Sequence, residues 1–168
     1  MNLYGVANEL GTGSPVYQYL QQLRQIPAPP PPAQNFVQSN SSTYSGPPIV
    51  VTGAAIVPLV QAAVTSAGGT RLLVTASVAG IFSQGVAPPP IDSITYYLYL
   101  NGALVSRGQV NAVQGGTSFA ITESLASVAG INTVELRASV SLPADRLTID
   151  PTGGGPEFAT IVVTEVRT

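Results

Sequence analysis

The 168-residue chain contains no cysteine, no histidine, no lysine and no tryptophan. The first two absences remove disulfide frameworks, thiolate nucleophiles, imidazole bases and the common zinc ligand sets. Charge is scarce as well: Asp, Glu and Arg together make up 8% of the residues, where a soluble domain carries about 25%. The cations are scattered arginines and the formal net charge is -2, so no basic stripe exists to neutralise phosphates, and a nucleic-acid role is excluded. The most lipid-like run, 49–64, is broken by Thr52, Gly53, Pro58 and Gln61 and falls short of the roughly 20 apolar residues of a membrane helix. The first residues, Met-Asn-Leu-Tyr-Gly, lack a cationic segment followed by an apolar core, so a secretory signal is not expected.

Low charge beside 45% hydrophobic residues admits two readings. One is a surface of Ser, Thr, Asn and Gln. The other is a surface partly covered by further protein chains, where charged side chains are depleted. The absence of lysine favours the second, because lysine is the usual guard of exposed strand edges. A homo-oligomer is therefore expected.

What is present is β-structure. In 94–108, Ile94, Tyr96, Leu98 and Leu100 share one parity and Thr95, Tyr97, Tyr99 and Asn101 the other, which places an apolar row on one face of a strand. Asn101-Gly102 follows. Both central residues of a type I′ turn need positive φ, which Asn tolerates and Gly adopts freely, so a tight hairpin is predicted. Further strands are predicted over 49–52, 56–65, 71–81, 103–107, 118–122, 133–142 and 159–166, with turns at Gly68-Gly69, Pro88 to Pro90, Gly115-Gly116, Gly130 and Gly153 to Pro156. Segment 125–129 fits a helical turn or a loop. Alternation is clearest where Leu72, Val74, Ala76 and Val78, and again Val134, Leu136, Ala138, Val140 and Leu142, point inward. Leu73 breaks the first pattern and is expected on the outer face. The expected fold class is all-β: an antiparallel jelly-roll β-sandwich over 48–168.

Residues 1–47 read as an extended arm. Ser14 caps and Pro15 opens one short helix over 15–26, in which Val16, Tyr19, Leu20 and Leu23 form an apolar side. Pro27 ends it, and a Pro-rich spacer over 27–33 favours polyproline II. The Ser-, Asn- and Thr-rich segment 38–46 reads as polar loop. The apolar side of the helix is the candidate surface for a partner, with folding back onto the sandwich as the alternative.

The stretches 69–78, 97–108, 133–138 and 159–166 together resemble the jelly-roll domains of tailed-phage and related virion proteins, which are similar in shape to C1q and tumour-necrosis-factor heads. That resemblance spans about 48–168. It implies a trimeric virion component, first a capsid decoration or cement protein or a head fibre, with a capsid or tail protein as partner. Alternatives are a receptor-binding tail-fibre head, a small jelly-roll capsid protein, or, in a different class, a carbohydrate-binding module. No functional residue carries over from it.

No side-chain set here points to catalysis, and no enzyme, cofactor or metal is expected. Glu135 and Arg137 lie two apart on one strand and share a face, as an ordinary ion pair does. Asp145, Asp150 and Glu157 flank a Pro/Gly-rich loop and are expected as solvated carboxylates, with a calcium site as the alternative. Tyr97 and Tyr99 oppose the apolar row of their strand and are either an interface for a subunit or receptor or cross-strand packing.

Overall fold

The computed structural model describes residues 36–85 and 92–167. The chain divides into two units, Met1–Gln34 and Asn35–Thr168, and the described residues all belong to the second. The helix and spacer expected over 15–26 and 27–33, and with them Val16, Tyr19, Leu20 and Leu23, lie outside the described residues.

Ten strands are present among the described residues: β1 (Phe36–Thr43), β2 (Ile49–Thr52), β3 (Val57–Ser66), β4 (Arg71–Ser83), β5 (Asp92–Leu100), β6 (Ala103–Ala112), β7 (Gly115–Ala126), β8 (Gly130–Val140), β9 (Arg146–Ile149) and β10 (Phe158–Val166). All pairings are antiparallel, and they form two sheets. Sheet B has the order β3-β8-β5-β6; sheet A runs β1-β10-β4-β9-β2, with β7 also on β4. The long strands pair as nested partners: β1 with β10, β3 with β8, β4 with β7, and β5 with β6. β4 is central to sheet A. β7 follows it from Arg71 to Phe82, while β10 pairs with 71–79 and β9 with 81–83.

The inward rows of the two sheets share one core. Leu72, Val74, Ala76 and Val78 of β4 and Ile161 and Val163 of β10 are buried, as are Ile94, Tyr96 and Leu98 of β5 and Val134, Leu136 and Ala138 of β8. The period-2 pattern thus selected the buried face correctly, because a one-residue slip would have turned every apolar side chain to water. Leu73, out of phase, is 43% exposed on the outer face. Near the β6–β7 side, the Tyr96 ring stacks on Phe119 with centroids 4.3 Å apart and planes 7° apart. Gly108 makes room for this pair, since a Cβ there would lie 2.5 Å from the Phe119 ring.

The hairpin forms as its sequence requires. Asn101 and Gly102 have φ of 52° and 81°, the two positive values of a type I′ turn. Asn101 is held from outside the hairpin as well: its N–H donates to the Thr133 carbonyl and its Oδ1 accepts from the Thr133 N–H, both at 2.8 Å.

Two strands differ from the sequence reading. The segment 38–46, expected as loop, is for the most part β1, and it lies in sheet A although it precedes residue 48. Pairing with β10 outweighs its turn-forming composition. Its hydroxyls also meet across the ladder, Ser39 with Thr164 at 3.2 Å and Thr43 with Thr160 at 3.1 Å. β9, four residues after a Pro-containing loop, was not foreseen; it fills the side of β4 beyond the end of β10. Gly115-Gly116 opens β7 rather than preceding it, and Leu125-Ala126 closes that strand.

Replacing Gly102 with Val should lower stability by about 1–3 kcal/mol in urea unfolding, because a β-branched residue is then forced to positive φ; no neighbouring atom lies within 4 Å of its Cβ position, so backbone strain is the whole effect. The opposite sign is expected in the core. The Tyr96 hydroxyl is buried without a hydrogen-bond partner, and burial pushes its pKa up. Tyr96→Phe should therefore keep the ring stack and raise stability by about 1 kcal/mol, read as a higher urea midpoint.

Candidate interaction face

The outer face of sheet B brings two tyrosines and two arginines side by side. Tyr97 stands opposite Arg107 of β6 on one side and Arg137 of β8 on the other, and Tyr99 stands opposite Leu104 and Glu135. These are cross-strand neighbours about 5 Å apart at Cβ. Arg137 leans diagonally so that its guanidinium lies over the Tyr99 ring, 4.4 Å from the centroid, while its Nη2 donates to Glu135 Oε2 at 2.6 Å. The Glu135 hydrogen bond raises the Arg137 pKa further, so the cation is permanent. Tyr97 Oη lies 3.2 Å from Ser139 Oγ. The result is a row, Arg107, Tyr97, Arg137, Tyr99, in which cations and rings alternate on a rigid four-stranded support. Arg107 is exposed and has no hydrogen bond or ion pair among the described residues. Beside it a cleft of about 230 Å³ is lined by Thr95, Tyr97, Arg107, Gly108 and Gln109.

The cross-strand packing reading of the tyrosines is the one the geometry displays. They pack cross-strand, and each is only partly buried, leaving ring and hydroxyl surface to water. The Glu135–Arg137 ion pair is as expected, with the added contact to Tyr99.

The three loop carboxylates do not gather. Asp145 is not solvated: it is 1% exposed, its Oδ1 accepts from the Gly85 N–H at 3.2 Å, and its buried Oδ2 has no partner. Asp150 organises its own turn. Its Oδ1 accepts from Thr152 Oγ1 at 2.7 Å and from the Thr152 N–H at 2.9 Å, and these bonds hold its carboxyl below the usual range. Glu157 Oε2 accepts from the Asp150 N–H at 2.7 Å. Among the described residues no group of three or more metal-ligating side chains is present.

A fourth carboxylate escaped the sequence reading. Glu165, 2% exposed, accepts from Ser66 Oγ at 2.5 Å and Thr70 Oγ1 at 2.6 Å on one oxygen and from Gln38 Nε2 at 2.5 Å on the other. Ser127 completes the ring through Ser66 and Thr70. The signal was available: Glu165 follows Ala159, Ile161 and Val163 in phase and so had to point inward.

No protein-family model matches this sequence, and no curated protein does. Among solved structures, a similarity is found to dimeric latent PorU from Porphyromonas gingivalis, with 12% identity and a TM-score of 0.34, over 82% of this chain and 14% of that one. A similarity at this level carries no argument about either fold or function. No helix among the described residues is long and apolar enough to cross a membrane.

Glu165 should make stability depend on acid. Hydrogen bonds from Ser66, then Thr70 and Gln38, favour its charged form and lower its pKa. The stabilisation is therefore complete above the unfolded-state value of about 4.3 and is lost as pH falls from there through the lower folded-state value. Urea midpoints between pH 7 and pH 3 should fall in this window for the native protein. The fall should be smaller for Glu165→Gln; an equal fall in both would place the acid sensitivity elsewhere.

Proposed function

We propose that this chain is a structural, non-catalytic component of a virion, of the capsid-decoration or head-fibre kind, fastened by its N-terminal arm and making protein contacts through the outer face of sheet B. The row of Arg107, Tyr97, Arg137 and Tyr99 is the observation that carries this reading. Tyr and Arg are the residues that dominate protein interfaces, where they offer large contact area at modest entropic cost. Here they stand on strands, not on loops, so little order has to be gained on binding. The jelly-roll assignment belongs to the same proposal. Four nested pairs, β1/β10, β3/β8, β4/β7 and β5/β6, alternating between two sheets, support a long hairpin rolled up into a sandwich, with the short β2 and β9 added to it.

The virion setting comes from the resemblance of the sequence, and the tether from the amphipathic pattern of the arm. Val16, Leu20 and Leu23 at a partner supply about 5 kcal/mol of gross apolar transfer before ordering costs. Several arms on one oligomer would add avidity if their spacers reach together. Deleting residues 1–33 should leave a folded protein that no longer occupies particles, measured as copies per particle by gel densitometry; Leu20→Asp with Leu23→Asp should do the same. Wild-type occupancy after the deletion would move attachment to the sandwich.

A second reading, a glycan-binding module, is favoured by one observation: the cleft beside Arg107 is lined by hydroxyl, amide and guanidinium groups next to the Tyr97 ring. Glycan-array binding that disappears in Arg107→Ala would support it over the first.

A further inference from the structure

We infer that β7 is a docking edge for the β7 strand of a second copy, so that sheet A continues across a two-fold axis. The inference is independent of the arm and of the sheet B face. It rests on how the four long edge strands of the two sheets are protected.

Three of those edges are guarded. β3 carries Pro58 and a register shift between Pro58 and Val60, and its Ala63 and Thr65 carbonyls accept from the side-chain amides of Asn40 at 2.7 Å and Gln38 at 2.5 Å. β1 has a register shift between Phe36 and Gln38. β6 accommodates a bulge opposite Leu98 and Tyr99 and presents Arg107. Bulges, proline and outward charge are the devices that keep strand edges from pairing. β7 has none of the first two: it runs in unbroken register with β4 from Gly115 to Ala126, contains no Pro, and pairs with no other strand among the described residues. Its one charge, Glu123, is turned toward β6, where it accepts from Ser106 Oγ at 2.6 Å.

The ladder also shows which β7 groups are free. Ser127 donates to the Thr70 carbonyl at 3.0 Å, one step beyond the Arg71–Ala126 pair. Bonded and non-bonded pairs alternate in an antiparallel ladder, so 117, 119, 121, 123 and 125 bond to β4, and 116, 118, 120, 122 and 124 direct their N–H and C=O groups away from it. The far side of the sheet gives the same phase. Tyr44 donates to the Ala159 carbonyl at 2.9 Å, so odd-numbered residues of β10 face β1, even-numbered ones face β4, and even-numbered β4 residues face β7. The outward-directed residues Gly116, Ser118, Ala120 and Thr122 are exposed and small, so side chains do not screen the edge. Arg71 closes one end, its Nη2 donating to the Ser124 carbonyl at 2.7 Å.

These facts select the occupant and its register. An axis at Phe119 pairs Gly116 with Thr122 and Ser118 with Ala120 of the second copy, making about eight backbone hydrogen bonds, and leaves Ser124 and Arg71 outside the contact. It sets Phe119 beside its own copy, Thr117 beside Ile121 and Glu123 beside Gly115, so no like charges meet. A contact of this kind joins copies in pairs and does not close the trimer that the sequence resemblance implies.

Sedimentation equilibrium on the full chain, together with residue-resolved amide exchange, tests the assignment. The expected result is a dimer, or a multiple of it, in which the amides of 116, 118, 120 and 122 are protected at high protein concentration and exchange freely on dilution. Ala120→Pro removes an outward N–H without breaking the β4 ladder and should give a folded species of half the mass. Thr122→Lys, which adds an edge guard and leaves every backbone donor in place, should do the same and decides the matter if the proline variant misfolds. A monomer at all concentrations, an oligomer whose four amides stay unprotected, or a folded Thr122→Lys protein of unchanged mass would each overturn it.

Discussion

Strand β4 is the element on which the rest of the structure depends. Its thirteen residues run as an almost uninterrupted period-2 pattern, and its inward row, Leu72, Val74, Ala76, Val78 and Phe82, is fully buried. Because both of its sides are paired, β4 fixes the register of β7 along one and of β10 and β9 along the other. A slip of one residue would expose that whole row and displace three strands together. The face of every side chain in sheet A is therefore inherited from one strand.

Around that frame, polar groups are placed where strands need tying together. Glu165 gathers β1, β3, β10 and the turn before β4 through hydroxyl and amide donors, and Asn40 and Gln38 satisfy carbonyls on the edge of β3. Neutral donors suit this task in a chain without lysine: they pair a buried carboxylate and lower its pKa without a second buried ion, whose desolvation is costly. Two of the few cations, Arg107 and Arg137, flank the tyrosines on the outer face of sheet B. The alternating row of cations and rings is thus a feature of sheet B, and the cross-strand hydroxyl pairs Ser39–Thr164 and Thr43–Thr160 are a feature of sheet A.

Much of the fold was legible from residue order. The β2 span, the Asn101-Gly102 hairpin, the inward rows of β4, β5 and β8, and the outer position of Leu73 all follow from period-2 burial and turn chemistry, which act over a few residues. The pairing of Glu135 with Arg137 was legible for the same reason. β1 and β9 were not. A strand rich in Ser, Thr and Asn has no local preference that distinguishes it from a loop, and it becomes a strand only because β10 offers it a ladder. Asp145 was not legible either, since the N–H that bonds its carboxylate belongs to Gly85, sixty residues away.

The sequence by itself determined the all-β character of the described residues, their principal turn and the side chains that face the core, because alternation and positive-φ residues are local causes. Only the tertiary structure decided that Arg107, Tyr97, Arg137 and Tyr99 stand in one row, that Glu165 meets Ser66, Thr70 and Gln38, and that β7 pairs along one side only among the described residues. Each of these is a matter of which strands lie side by side, and that choice is made by burying the rows of both sheets in one core, an energy shared among residues distant in sequence.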